Sequence, residues 1–217
     1  MEPPVRVTIS DAEQAELVGQ LLAGYRLTLQ EDTRILFDRF TETDTVRQVV
    51  GVGSVGMRVY LVLLEGRTGA DPLFLQLKQA GPAVYEAHKR TSACASHGER
   101  VITGKRLLQS ATDIFVGWGS MGGRDYYVRQ FRDMKIIPTT ALIAPRLAEF
   151  ATACGETLAR AHARTGDPVA IAAYVGKGPK FADAIRRFAG MYADQTERDH
   201  AQLVRAIDAG AVETQPG

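Results

Sequence analysis

The stretch "VVGVGSVGMRVYLVLLEG", residues 49–66, decides the fold, because its three glycines at Gly51, Gly53 and Gly56 have two chemically different readings. In a dinucleotide fold, G-x-G-x-x-G closes a strand and opens a helix whose N-terminal amides receive a pyrophosphate. Here Val59, Tyr60, Leu61 and Val62 follow in succession with no helical polar face, and Gly66 and Gly69 interrupt the chain before a crossover helix could form. The continuation is a strand. The glycines therefore join two strands of an antiparallel hairpin rather than start a parallel crossover.

Working outward, the next extended run is "DPLFLQLKQA" at 71–80. Alternation sends Leu73, Leu75 and Leu77 to one face and Phe74, Gln76 and Lys78 to the other, so a lysine projects from an otherwise apolar strand. A glycine hairpin whose backbone covers phosphates, followed by a strand lysine that neutralises them, is the protein-kinase arrangement. On that reading Gly51, Gly53, Ser54 and Gly56 cradle the phosphates of a nucleotide and Lys78 pairs with them. A buried ammonium also needs a carboxylate. Glu86 and Glu99 both qualify by order, although Glu99 is equally the third helical position of a capping box begun by Ser96. The competing reading of the loop is a tight turn that needs positive φ and binds nothing. A Walker loop is excluded, since "GERVITGKR" has the wrong spacing before its Gly-Lys and carries Arg106 where Ser or Thr is required.

The remaining pattern defines an α+β protein. Ser10 and Glu13 form a first capping box, with Leu17, Val18, Leu21, Leu22 and Tyr25 at helical spacing behind it; a second helical piece covers Thr33 to Phe40. "TVRQVV", "MRVYLVLLEG", "DPLFLQLKQA", "TDIFVGWG" and "RDYYVRQFRD" make about five strands, with a helix over "SHGERVITGKRLLQS" between the third and fourth. After Pro138 the chain turns Ala-rich and helical. Pro145 suits a first turn, Leu147, Phe150, Cys154 and Leu158 share a stripe, and Gly166 stops the helix. A short helix at "PVAIAAYVG" and a long one from "PKFADAIRRF" onward complete the layout. Three segments follow: an N-terminal helical segment over 1–44, a kinase-like lobe of about five antiparallel strands with a helix over 45–137, and a helical part over 138–217.

Composition narrows the partners. Lys and Arg total 26 against 25 Asp and Glu, so no broad field recommends nucleic acid or membrane, and any anion site must be local. Cys94 and Cys154 lie far apart without metal-ligand spacing. The apolar run "VYLVLL" is far short of the roughly 20 residues of a spanning helix. The opening "MEPPVRVTIS" lacks the charged and apolar regions of a signal peptide, so a cytoplasmic location is expected.

At "VVGVGSVGMRVYLVLLEGR", "DPLFLQLKQA", "HGERVITGKRLLQSATDIFVGW", "YYVRQFRDMK", "LARAHARTGD" and "YADQTERDHA" the sequence resembles the C-terminal half of the bacterial family called domain of unknown function 2252. Gln79 stands where that family often has Glu, and Met57 where it often has Thr. The resemblance, from about residue 45 to 210, implies a distant, permuted relation to protein kinases and aminoglycoside phosphotransferases. In such proteins a "GDxHxxNFG" string and a later "DFD" precede the glycine loop; this chain has neither. A glycine loop and lysine without base or metal ligands bind but do not transfer phosphate. The expectation is a nucleotide-binding lobe for ATP with Mg, with no catalytic and no metal-ligating residue assigned and no activity alone. By the kinase analogy, backbone from Gln130 and Phe131 onward edges the purine pocket. The alternatives are an assembly module, partnered by a second copy, and one half of a two-chain phosphotransferase completed by a separate catalytic half.

Several other candidates have plain explanations. His162 and Asp167 are separated by Gly166, which makes His162 a packed residue near a helix end and Asp167 the cap of the helix opened by Pro168. Asp199 and His200 are adjacent and point in different directions on a helix. His97 beside Ser96 is a cap residue. Arg129 and Arg132 fall on opposite faces of a strand, so no basic stripe forms, and Trp118 between Gly117 and Gly119 belongs to the core at a strand end.

Overall fold

The computed structural model describes residues 6–8, 12–48, 56–88, 92–131, 139–177 and 179–212. The first compact unit, Met1–Thr165, is built on a six-stranded antiparallel sheet in the order β1-β2-β3-β4-β6-β5. The strands are β1 (Arg6–Thr8), β2 (Thr41–Gln48), β3 (Val59–Glu65), β4 (Pro72–Ala80), β5 (Gly117–Met121) and β6 (Arg124–Gln130). The helices of this unit are α1 (Ala12–Arg26), α2 (Glu31–Phe37), α3 (His97–Leu108), α4 (Thr140–Ile143) and α5 (Leu147–Thr165). The α+β class expected from the sequence is the class observed. Boundaries differ where tertiary pairing overrides local pattern: Arg6–Thr8 pairs with the end of β2, and the strand expected at "TDIFVGWG" begins only at Gly117.

Strand alternation places a different helix layer on each face of the sheet. Tyr60, Val62 and Leu64 of β3 stand opposite Leu77, Leu75 and Leu73 of β4, and all six join Val18, Leu21, Leu22 and Tyr25 of α1 in one core. Tyr25 is wholly buried, meets Phe37 edge-on at 5.4 Å, and donates its hydroxyl to the Phe115 carbonyl at 2.7 Å. The glycines flanking Trp118 explain how closely α1 approaches β5. A Cβ at Gly117 would sit 2.5 Å from Thr28 Oγ1, and one at Gly119 would sit 2.9 Å from the Leu21 carbonyl oxygen. Trp118 points the other way and is half-buried.

The opposite face carries α3. Ser96 caps it by accepting from the Glu99 amide at 3.1 Å, while Glu99 returns a carboxylate oxygen to the Ala95 amide at 2.8 Å, so this sequence-predicted helix start is realised with a reciprocal pair of bonds. His97 is the first helical residue rather than the cap; its amide donates to Asp125 of β6 at 2.8 Å, placing a carboxylate at the positive end of the helix. Gly98 lies directly on the sheet: a Cβ there would fall 2.3 Å from the Tyr126 carbonyl oxygen.

The second unit, Gly166–Gly217, contains α6 (Pro168–Val175) and α7 (Lys180–Asp208). Asp167 caps α6 by accepting from the amides of Val169 at 2.9 Å and Ala170 at 3.1 Å. Along α7 the residues Phe181, Ile185, Phe188, Met191 and Tyr192 are exposed, with the rings of Phe188 and Tyr192 stacked at 5.6 Å. His162, expected to be packed, is exposed.

Candidate functional site

The strands on either side of the glycine stretch are neighbours in the sheet. β2 and β3 pair antiparallel through Arg47 opposite Tyr60, Gly56 has φ +79°, and β3 starts at Val59. A strand, not a helix, follows the third glycine. Gly51, Gly53 and Ser54 lie outside the described residues. Past the hairpin, β3 and β4 stay tied to the end of their ladder: Gln79 donates its amide to the Arg58 carbonyl at 2.9 Å, and its side-chain oxygen accepts from the Arg58 amide at 3.1 Å.

Lys78 stands opposite Val59 on one side and Tyr127 on the other, at the same end of the sheet as the hairpin loop. It is half-buried and belongs to the α3 face, as alternation requires. Between this face and α3 runs a groove of about 500 Å³ whose polar lining includes Lys78, Arg100, Lys105, Gln109, Tyr127 and Arg129. A neighbouring hollow of about 450 Å³ shares Lys105, Gln109 and Arg129 and adds Asp113, Gln130 and Phe131.

The candidate partners of Lys78 have their own commitments. Glu86 sits 3.4 Å from Arg100 Nε, although the alignment is too poor for a hydrogen bond and leaves that buried nitrogen without one. Arg100 is instead anchored through Nη2, which donates to the Gly81 carbonyl at 2.7 Å. Glu99 closes the capping box and does not line the groove. Beside Val101, Gly104 and Leu108, α3 turns two cations into the groove: Arg100, and Lys105, which pairs with the nearly buried Asp113 carboxylate at 3.4 Å. Asp113 also accepts from the Gln130 amide at 3.3 Å, while the Phe131 amide donates to the Phe74 carbonyl at 2.8 Å. Both described members of the expected purine edge thus direct their amides into the fold.

Arg129 has surroundings that the sequence pattern does not reveal. On β6 it stands opposite Gln76 of β4, whose side-chain oxygen accepts from Arg129 Nε at 3.1 Å and Nη2 at 2.9 Å. Gln76 is 2% exposed and donates in turn to Gln48 of β2 at 2.9 Å, so a buried amide relay crosses the sheet and ends on a guanidinium at the groove. Burial raises the pKa of the Tyr127 phenol beside it, with the positive charge of Arg129 pulling in the opposite direction. Among the described residues no group of three or more His, Cys, Asp or Glu side chains could hold a metal ion, and no helix is long and apolar enough to cross a membrane.

An antiparallel sheet between two helix layers, with a glycine hairpin and a cation-lined groove at one end, defines an α+β protein whose candidate site suits an anion. Residues 1–206 match the family described as "Uncharacterized protein conserved in bacteria (DUF2252)", and the chain belongs to that family. No curated protein and no solved structure matches the chain.

Proposed function

We propose that the chain is a kinase-like nucleotide-binding lobe that takes ATP or a related nucleotide at the α3 groove and does not transfer phosphate alone. The observation that carries this reading is the register that sets Lys78 opposite Val59, directly after the glycine hairpin. The succession of glycine hairpin, lysine strand, helix and returning hairpin also supports it, since that is the order by which kinases bring a covering loop, a phosphate-pairing lysine and a helix together. The departure lies in the helix, which supplies Arg100 and Lys105 to the groove rather than a glutamate. Transfer needs a positioned base and metal-borne charge stabilisation, and the sequence carries neither the "GDxHxxN" nor the "DFD" setting for them.

Calorimetric titration with ATP, with and without magnesium, tests the reading on the wild-type chain and on Lys78→Ala. Loss of a charge-assisted contact to phosphate should weaken binding by about 10-fold to 100-fold. Equal affinity in both proteins removes Lys78 from the site.

The exposed apolar stripe of α7 favours a second reading, an assembly module whose helices seat a partner. Light scattering that reports a mass above 23.6 kDa, reduced by Phe188→Asp, is the expected result for self-association. Restoration of ATP turnover on mixing with a chain bearing the "GDxHxxN" segment is the expected result for a separate catalytic half.

A further inference from the structure

We infer that Arg129 is the principal anion-recognising residue of the groove, and that it holds a polyphosphate chain together with Lys78 without a bridging magnesium ion. The inference rests on the nucleotide reading for the role of Lys78 but draws Arg129 from an independent observation. A structural arginine buried against a sheet ordinarily meets a carboxylate that both orients and neutralises it. Arg129 is oriented by two hydrogen bonds to one amide oxygen, and that amide is neutral. Gln76 is itself fixed by Gln48 at 2.9 Å, so the guanidinium is preorganised by a buried relay that leaves its whole charge available.

The surroundings favour phosphate over a single carboxylate. Lys78 pairs with Tyr127, two residues before Arg129 on the same face of β6, which sets the two cationic positions diagonally, roughly 7–8 Å apart at the backbone. Arg100 and Lys105 face them from α3 across a groove of about 500 Å³. The partners of these two, Glu86 and Asp113, hold them in place and do not line that groove. Four cationic side chains line one groove and match an extended anion of several charges, which lowers the need for a metal ion to neutralise a triphosphate.

Calorimetry with inorganic tripolyphosphate and with ATP, each in chelator and in excess magnesium, tests this on the full chain. The informative variant is Gln76→Glu, which keeps the side-chain length and the bonds to Arg129 but adds a neutralising charge; Arg129→Gln is the second variant, and circular dichroism checks the fold of both. Tripolyphosphate binding in chelator that falls about 10-fold or more in either folded variant supports the inference. Binding only with magnesium, or wild-type affinity in both variants, overturns it. ATP binding that depends on Lys78 and not on Arg129 overturns this inference and leaves the nucleotide reading standing. Tripolyphosphate binding as tightly as ATP, and dependent on Arg129, supports the inference and removes the nucleoside from the reading. Binding of neither ligand in any condition overturns both.

Discussion

Replacing Gly98 by alanine tests the seating of α3 on the sheet, on which the geometry of the groove depends. Helix propensity alone favours the change, since alanine is better than glycine inside a helix by about 0.8–1.0 kcal/mol. At Gly98, however, the new Cβ would lie 2.3 Å from the Tyr126 carbonyl oxygen, 2.9 Å from its carbon and 3.0 Å from Trp118 Cβ. The first two are backbone atoms, which no rotamer change can move aside. Restoring ordinary contact requires α3 to retreat from β6 by roughly 1 Å, an overpacking that costs about 1–3 kcal/mol. At Gly104, further along the same helix, a Cβ would meet nothing within 4 Å, so Gly104→Ala should show the propensity gain without the clash. Urea denaturation followed by the fluorescence of Trp118, the chain's only tryptophan, reads both variants in the first unit. Gly98→Ala should destabilise by about 1–3 kcal/mol and Gly104→Ala should stabilise by up to about 1 kcal/mol. A Gly98→Ala protein as stable as the Gly104→Ala protein would show that α3 does not pack on β6 as described.

Two further predictions concern the same unit. Burial pushes the Tyr126 phenol up to about 12 and raises Tyr25 further still, so both stay protonated in the folded chain after an unfolded tyrosine has ionised near 10. The unfolded state then holds fewer protons than the native state, and stability present in full below pH 10 falls as pH rises toward 12. Ultraviolet titration should show at least two of the seven tyrosines ionising together with loss of structure, and all seven ionising near pH 10 in a folded chain would contradict the burial of Tyr25 and Tyr126. Ser96→Ala removes the cap of α3 and should cost about 1 kcal/mol in the same denaturation assay, while Ser96→Asp should restore most of it.

Local chemistry was legible in the sequence and cross-sheet chemistry was not. The face of Lys78, the Ser96 and Glu99 capping box and the Asp167 cap each rest on residues within a few positions of one another, and the structure reproduces each. β1 escaped notice because three residues carry too little pattern to compete with a terminal position, and they pair only because the edge of β2 is open to them. "TDIFVGWG" looks like one strand, but Asp113 turns in to meet Lys105 and the Gln130 amide, and pairing starts four residues later at Gly117. Alternation did separate Arg129 from its neighbours and so argued against a basic stripe along β6. It could not reveal that the opposing cations come from α3, or that a glutamine 53 residues earlier fixes the guanidinium.

The near balance of charge conceals this site for a physical reason. Twenty-six basic against twenty-five acidic residues rule out a broad field but say nothing about how charges divide between the two sides of a helix. Around α3 that division is uneven: Glu86 and Asp113 hold Arg100 and Lys105 from outside the main groove, while Lys78 and Arg129 rise from the sheet within it. An ion pair fixes a side chain and cancels its field on the far side only in part, because a ligand in front sits closer to the cation than to the carboxylate behind it. The same acids that bring the chain close to neutrality therefore serve to aim the cations. If that is how the groove works, raising ionic strength should weaken anion binding steeply while leaving the urea midpoint of the first unit almost unchanged, and a parallel loss of both would mean that these charges hold the fold rather than a ligand.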